Sequence, residues 1–476
     1  MAEIHELTAI QQAEAVRRRE ISPVEITAHY LSRIERIDGR LGAFITVANE
    51  FAREQARKAE EAALSDTPGE PPPLLGVPIP IKDLEPVAGL RYTAGSAVHA
   101  DRVAEADSDA VAELRAAGAV VTGKTNTPEF GCPCHTENDI APAARTPWDL
   151  SRSAGGSSGG AAAAVAAGLA PAAHAGDGGG SIRIPASACG VFGIKPTRGR
   201  VTAGPFRPDY IGLSTAGPIA RTVADAALVL DIISVNRPGD YFTAPPLPTG
   251  ETFLGSALRD PGRLRIARFG ASPVPGATVA PEVSAAYEEA AELLGELGHD
   301  VEDIEPPVDD DLMESFELVW AAMAASEPVD PADEHLLRPL TRMLRERAAS
   351  SSIAAYMGAT ARLQNAVRAV LPRLMPYDAV LTPTLARPPA PVGHFDAGGD
   401  PAEELRRMTE FTPFTSLFNI TGQPSVSVPL HWSEEGLPIG VMLSGRLGGE
   451  PTLLSLSAQL EAARPWAERR PPLWSA

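Results

Sequence analysis

Two rhythms of apolar and polar positions run along the 476-residue chain. A period near 3.6 marks the charged N-terminal stretch and then Pro23 to Ile37, where Ser22-Pro23 has the form of a helix start. The same period runs from Ala106 to Ala117, and a turn followed by a strongly apolar helix is predicted in LSTAGPIARTVADAALVLDII, Leu213 to Ile233. Short apolar runs without that period predict buried strands: VPIPI ahead of Lys82, and GAVVTGK from Gly118 to Lys124. Proline-rich joints lie at Asp66–Pro73 and Ala244–Thr249. After the second, RLRIARF, a helix from Pro281 to Leu297 and DVEDIEP read as strand, helix, strand. Helices dominate from Asp311 to Leu374. DAVLTPT, PSVSVPL and PIGVMLSG predict three further strands, and Leu453 to Ala463 closes as a helix. Strands mixed with helices over the whole length predict an α/β layered fold with helices on both faces of the sheet.

Composition narrows the class. At 44% hydrophobic and 21% charged the chain can bury a substantial core. A formal charge of −20 argues against nucleic acid or an anionic membrane as the main partner. No secretory signal is visible, and the longest apolar run, Ala161 to Ala175, is too alanine-rich and too interrupted to span a bilayer. Three cysteines cannot frame disulfides for so large a chain, which predicts a cytoplasmic protein.

Of 41 basic residues only Lys58, Lys82, Lys124 and Lys195 are lysines. Arginine stays charged in a protein, whereas a buried lysine can become a neutral base, so each lysine carries a question. Lys58 lies in a charged helical stretch and reads as surface.

Several patterns offer chemistry. GAVVTGKT, Gly118 to Thr125, matches the phosphate-loop pattern, but its interior is strand-like and Pro128 follows where a helix should begin. The context rejects nucleotide binding and leaves Lys124 a structural place near the site. CPCH, Cys132 to His135, lacks a second ligand pair, so no metal site is expected. A catalytic serine needs a base, and His174, the one histidine in the glycine-rich region, reads as satisfied or solvent-facing. Lys82 lies between apolar VPIPI and Leu84, where desolvation favours its neutral form. DGGGS, Asp177 to Ser181, strings together N–H groups that can converge on a developing oxyanion. GGSSGG, Gly155 to Gly160, can aim a serine where no helix or strand would place it.

Taken together these residues resemble the amidase signature family. The stretch from Gly155 to Val201 looks like its signature sequence, and GVPIPIKDL, GKTNTPEF, AGPIARTVADAA, YDAVLTPT and NITGQPSVSVP match around it. HAGDGGGSIRIPAS is most similar to the branch that includes nylon-oligomer cyclic-dimer hydrolases. The resemblance implies one catalytic domain over residues 1–476, with a signature core at about 76–235 and a substrate-shaping helical region at about 311–374. It implies a cofactor-independent hydrolase of small-molecule amides, with esters, anilides or carbamates as further substrates, working as a monomer or homodimer. Its catalytic lysine falls on Lys82, its bridging serine, held after a cis peptide bond, on Ser157, and its nucleophile on Ser181. The oxyanion hole falls on the N–H groups of Gly178, Gly179, Gly180 and Ser181, with Ser158, Asp177 and Arg183 in support. Gly178 departs from the family, which more often has a side-chain-bearing residue there. Specificity is expected from Gly204–Gly212 and from the helix around Phe316 to Met323, where Leu318, Val319 and Trp320 suggest a pocket for a bulky group. The alternatives are a subunit-like amidotransferase component and, more remotely, a nucleotide-binding enzyme using residues 118–125.

Overall fold

A computed structural model describes residues 3–65, 71–206, 210–308 and 312–475. Most of the joint expected at Asp66–Pro73, part of Gly204–Gly212 and the first residue expected in the helical region, Asp311, lie outside them.

Eleven strands form one mixed sheet among the described residues. They are β1 Phe44–Val47, β2 Ile81–Lys82, β3 Gly123–Thr125, β4 Ala172–Asp177, β5 Phe192–Lys195 and β6 Thr215–Ala220 in the first half of the chain. The second half adds β7 Arg265–Arg268, β8 Asp300–Asp303, β9 Ala379–Pro383, β10 Ser425–Trp432 and β11 Pro438–Gly445. Their order across the sheet is β1-β3-β2-β4-β6-β5-β10-β11-β9-β7-β8. β2 runs parallel to β3 and β4, and β7 parallel to β8 and β9, while the other pairs are antiparallel.

Successive strand residues point to opposite faces, and each face meets its own core. In β4, Ala172 joins the cluster that contains helix Val223–Ile233, whereas Ala173 and Ala175 join the alanine-rich helix Gly159–Ala166. In β6, Ala220 and Ile219 divide in the same way. In β11, Val441 and Leu443 face the first core while Met442 faces a third, with Phe316 and Phe418. Helices therefore cover both faces, as predicted. None of the helices among the described residues is long and apolar enough to cross a membrane.

The rhythmic segments fold as expected. Pro23 opens a helix that runs to Leu41, and its start is a reciprocal capping box: Ser22 Oγ accepts from Glu25 N–H, and the Glu25 carboxylate accepts from Ser22 N–H, each at 3.1 Å. Differences fall where side chains are small. TAGPIA, expected as a turn, is β6, and AAHAGD and FGIK are β4 and β5. AAHAGD is mostly alanine and glycine, TAGPIA carries a proline and FGIK is only four residues long, so none gives a strong strand signal alone; they become strands because the sheet pairs them on both sides. GAVVTGK is strand only from Gly123 onward.

Helix Gly159–Ala166 is buried at every residue. It approaches its neighbours so closely that a Cβ on Gly160 would sit 2.3 Å from Asn126 N and 2.4 Å from Ala43 O, both backbone atoms. Gly160→Ala is expected to cost about 1–3 kcal/mol or to prevent folding, since overpacking here has no flexible side chain to displace. Gly39→Ala, a helical site with nothing within 4 Å of the added carbon, is the control and should be neutral or slightly stabilising. Thermal unfolding compares them, and equal transition temperatures for Gly160→Ala and wild type would refute this packing account.

Candidate active site

The site is built where three chain segments meet beside β4. Lys82 ends β2 and is buried, with Nζ 2.8 Å from Ser157 Oγ and 3.2 Å from the carbonyl oxygen of Gly176. β2 is held between β3 and β4 by parallel pairing, Ile81 standing opposite Lys124 on one side and His174 on the other. The next residue, Asp83, is also buried; it accepts from Lys124 Nζ at 2.7 Å and from Thr93 N–H at 3.0 Å. This anchors the lysine end of a two-residue strand.

Ser157 follows a cis peptide bond from Gly156. A side chain on Gly156 would strike the backbone of His135 at 2.6 Å, so that position has room for glycine alone. Ser158 ties the turn to β4, its Oγ donating to Gly176 O at 3.1 Å and accepting from Gly176 N–H at 3.3 Å. Its N–H donates to Ser181 O at 3.1 Å. The two serine-bearing loops are thus hydrogen-bonded to each other.

Asp177 closes β4 and organises the loop beyond it. Its carboxylate accepts from Gly180 N–H (2.7 Å), Ile182 N–H (3.1 Å), Arg183 Nε and Nη2 (2.9 Å each) and Asn419 Nδ2 (2.9 Å). Burial opposes its charge, but the Arg183 guanidinium and these donors overcome that and hold the carboxyl well below the usual carboxylate range. Arg183, also fully buried, donates on to Asn419 Oδ1 at 2.6 Å and Thr415 O at 2.8 Å. Thr415 Oγ1 donates to Gly179 O at 2.7 Å.

This network corrects one expectation. Gly180 N–H is already given to Asp177, so it does not join an oxyanion hole. The N–H groups of Gly178, Gly179 and Ser181 donate to no acceptor among the described residues. Ser181 and Gly179 line a cleft with Cys132, Ile184, Phe316 and Trp320.

The other candidates are placed elsewhere. Lys124, bound to Asp83 and to Glu85 O, is not free to serve a phosphate loop, and it sits inside strand β3 rather than at the start of a helix. His135 Nε2 lies 3.0 Å from Glu404 Oε1, with its ring stacked on Phe395; Cys132 and Cys134 are buried, and burial pushes both thiols up. His174 is buried inside β4 rather than facing solvent. The described part of Gly204–Gly212 contributes nothing to the cleft, because Phe206 and Tyr210 turn outward. Helix Leu312–Ser326 does contribute, through Met313, Phe316, Glu317 and Trp320, whereas Val319 is core.

Across the chain, the description of the amidase family matches residues 25–454. The chain belongs to the amidase family. It is similar to AmiB2 of Mycobacterium tuberculosis, 41% identical over 446 residues and 93% of each chain. It is 36% identical over 491 residues to the 6-aminohexanoate-cyclic-dimer hydrolase of Paenarthrobacter ureafaciens, covering 98% of this chain and 96% of that protein. A solved 6-aminohexanoate cyclic dimer hydrolase complexed with substrate superposes with a TM-score of 0.90 at 34% identity over 99% of both chains. A bacterial aryl acylamidase of the amidase signature enzymes gives 0.88 at 27% identity over 98% of both. The chain is an amide-hydrolysing enzyme with the amidase-signature fold.

Motif reading missed two residues of the network around Asp177 in this amidase and left a third without a role. Asn419 and Thr415 come from a helix and its approach some 240 residues beyond Asp177, and only the flanking NITGQPSVSVP match hinted at them. Lys195 was singled out by rarity alone. It is buried at the end of β5, donating to Pro196 O at 3.0 Å. Burial, aided by Arg183 and Arg198 and opposed by Asp177 and Glu450, pushes its ammonium down to about 7.

An unfolded lysine keeps its proton to about pH 10.4. Between about pH 7 and that value the unfolded chain therefore binds more protons at this site, so Lys195 makes stability rise with pH. Lys195→Met is expected to flatten this rise in a series of thermal melts from about pH 7 to 10. An unchanged slope would rule the assignment out.

Proposed function

We propose that this amidase hydrolyses amides through an acyl-enzyme, with Ser181 as nucleophile, Ser157 as proton relay and Lys82 as base. The observation that carries the reading is the buried 2.8 Å contact between Lys82 Nζ and Ser157 Oγ, with Ser157 in the loop tied to that of Ser181. A hydroxyl is a weak nucleophile until a base takes its proton. Neutral Lys82 accepts a proton from Ser157, which accepts one from Ser181 as its Oγ attacks the carbonyl carbon. The N–H groups of Gly178, Gly179 and Ser181 then stabilise the oxyanion. The C–N bond breaks as Ser157 returns a proton to the leaving nitrogen and is resupplied by Lys82. Water attacks the acyl ester, giving its proton to the same relay, and Ser181 is regenerated.

No step needs a cofactor. The same sequence of steps serves esters, anilides and carbamates, because each presents a carbonyl with a leaving group that can take a proton. Ser158, Asp177 and Arg183 act by holding loop geometry. The whole chain is read as one catalytic unit, with the signature core supplying the reacting groups and the helix Leu312–Ser326 lining the cleft.

The purified chain alone is expected to turn over a simple aryl amide, which a subunit that needs partner chains would not do. Ser181→Ala and Lys82→Ala should each abolish turnover while circular dichroism and melting stay native-like. Ser157→Ala should cost on the order of 10²–10⁴ in kcat, the range of a proton-transfer contribution. Wild-type turnover by either of the first two variants would defeat the assignment.

A further inference from the structure

The cleft beside Ser181 has a floor made by one aromatic ring resting on bare backbone. Trp320 stacks on Phe316, ring centroids 5.5 Å apart at 23°. A Cβ added to Gly178 would lie 3.2 Å and 3.3 Å from the indole Cζ3 and Cη2 of Trp320, and 2.7 Å from Ser214 Oγ. One added to Gly179 would lie 3.4 Å from Phe316 Cζ. The two rings thus sit where side chains on Gly178 and Gly179 would otherwise be. Glycine at 178 is what allows the indole to reach the backbone of the loop that leads to Ser181.

The charges of the cleft are equally informative. None of the residues lining it among those described is lysine, arginine or histidine. Its one charged residue, Glu317, is taken up by Arg347 Nη1 at 2.8 Å. The lining also includes Leu344, Leu405 and Met408, with Thr409, Thr412 and Ser416. A carboxylate on the acyl group would be desolvated here with no cation to receive it, at a large cost. A flat, uncharged group would stack on the indole, which favours an offset ring partner.

We infer that Trp320, seated on Gly178, is a specificity-determining residue that selects amides whose acyl group is flat and uncharged, aromatic or ring-containing, over small aliphatic and carboxylate-bearing ones. This rests on Ser181 being the nucleophile beside that floor.

Primary amides test it, because their leaving group is ammonia and only the acyl group can fill the cleft. Ammonia release is followed with benzamide, propanamide and succinamate. Wild-type kcat/KM should favour benzamide over propanamide by about tenfold or more, and over succinamate by more still. Trp320→Ala should lower the benzamide-to-propanamide ratio by about tenfold, chiefly through KM, and Trp320→Phe should retain most of it. Gly178→Ala, which lifts the indole from the other side, should lower the ratio without touching the tryptophan. The inference is overturned if the ratio is unchanged in Trp320→Ala, if the wild type prefers succinamate, or if benzamide is not hydrolysed. Ser181→Ala separates the two readings. Turnover by that variant refutes the nucleophile, whereas an inert Ser181→Ala alongside an unchanged Trp320→Ala ratio refutes only the role of the tryptophan.

Discussion

The buried carboxylate of Asp177 is the point on which the geometry around Ser181 depends. It receives five hydrogen bonds, from two backbone N–H groups of its own loop, from Nε and Nη2 on one edge of Arg183 and from Asn419. An ionised group taken out of water is costly unless its lone pairs are filled and an opposite charge stands close. Here both conditions are met, so carboxylate and guanidinium hold one another in a single arrangement. The acceptor ends β4, and the donors come from the loop that follows it, helix Arg183–Cys189 and helix Ser416–Ile420. Removing any partner would leave a buried charge short of its bonds, which is why these segments keep a common position. The strand end therefore delivers Ser181 to a defined place, although the loop itself has almost no side chains with which to hold its shape.

A second constraint is the exclusion of side chains. The serine loop and the alanine-rich helix behind it approach their neighbours to within distances that a single Cβ would violate, against backbone at Gly156 and Gly160 and against the Thr136 side chain at Gly159. That closeness brings Ser158 N–H onto Ser181 O and Ser158 Oγ onto Gly176. Lys82 meets Ser157 because β2, only two residues long, is clamped between β3 and β4 and because Asp83 is pinned by Lys124. The lysine noticed for resembling a phosphate-loop residue thus serves as a strut for its neighbour.

Much of this was legible in the residues. Lys82, Ser157 and Ser181 stand in contexts whose composition already narrows their use: a lysine in an apolar run, serines among glycines, a glycine string after a carboxylate. The cis bond before Ser157 was implied by resemblance and is present. Less legible was the direction of single N–H groups. Gly180 looked equivalent to its neighbours, and only the folded loop shows its N–H turned inward to Asp177. Strands β4, β5 and β6 were likewise hidden: β4 is mostly alanine and glycine, β6 carries a proline, and β5 is only four residues long. Asn419 and Thr415 are far from Asp177 along the chain, and no spacing rule connects them.

What the sequence by itself determined was the layered α/β class, the amphipathic helices with their caps and the short inventory of groups able to do chemistry. Periodicity, capping residues and rare residue types are local properties, and local physics is sufficient to read them. The tertiary structure alone decided which backbone groups stay free, which small-residue segments become strands, and which helix floors the cleft. Each of those depends on contacts between residues one or two hundred positions apart. Burial, pairing and close approach are properties of the assembled neighbourhood, and Trp320 resting on Gly178 exists only there.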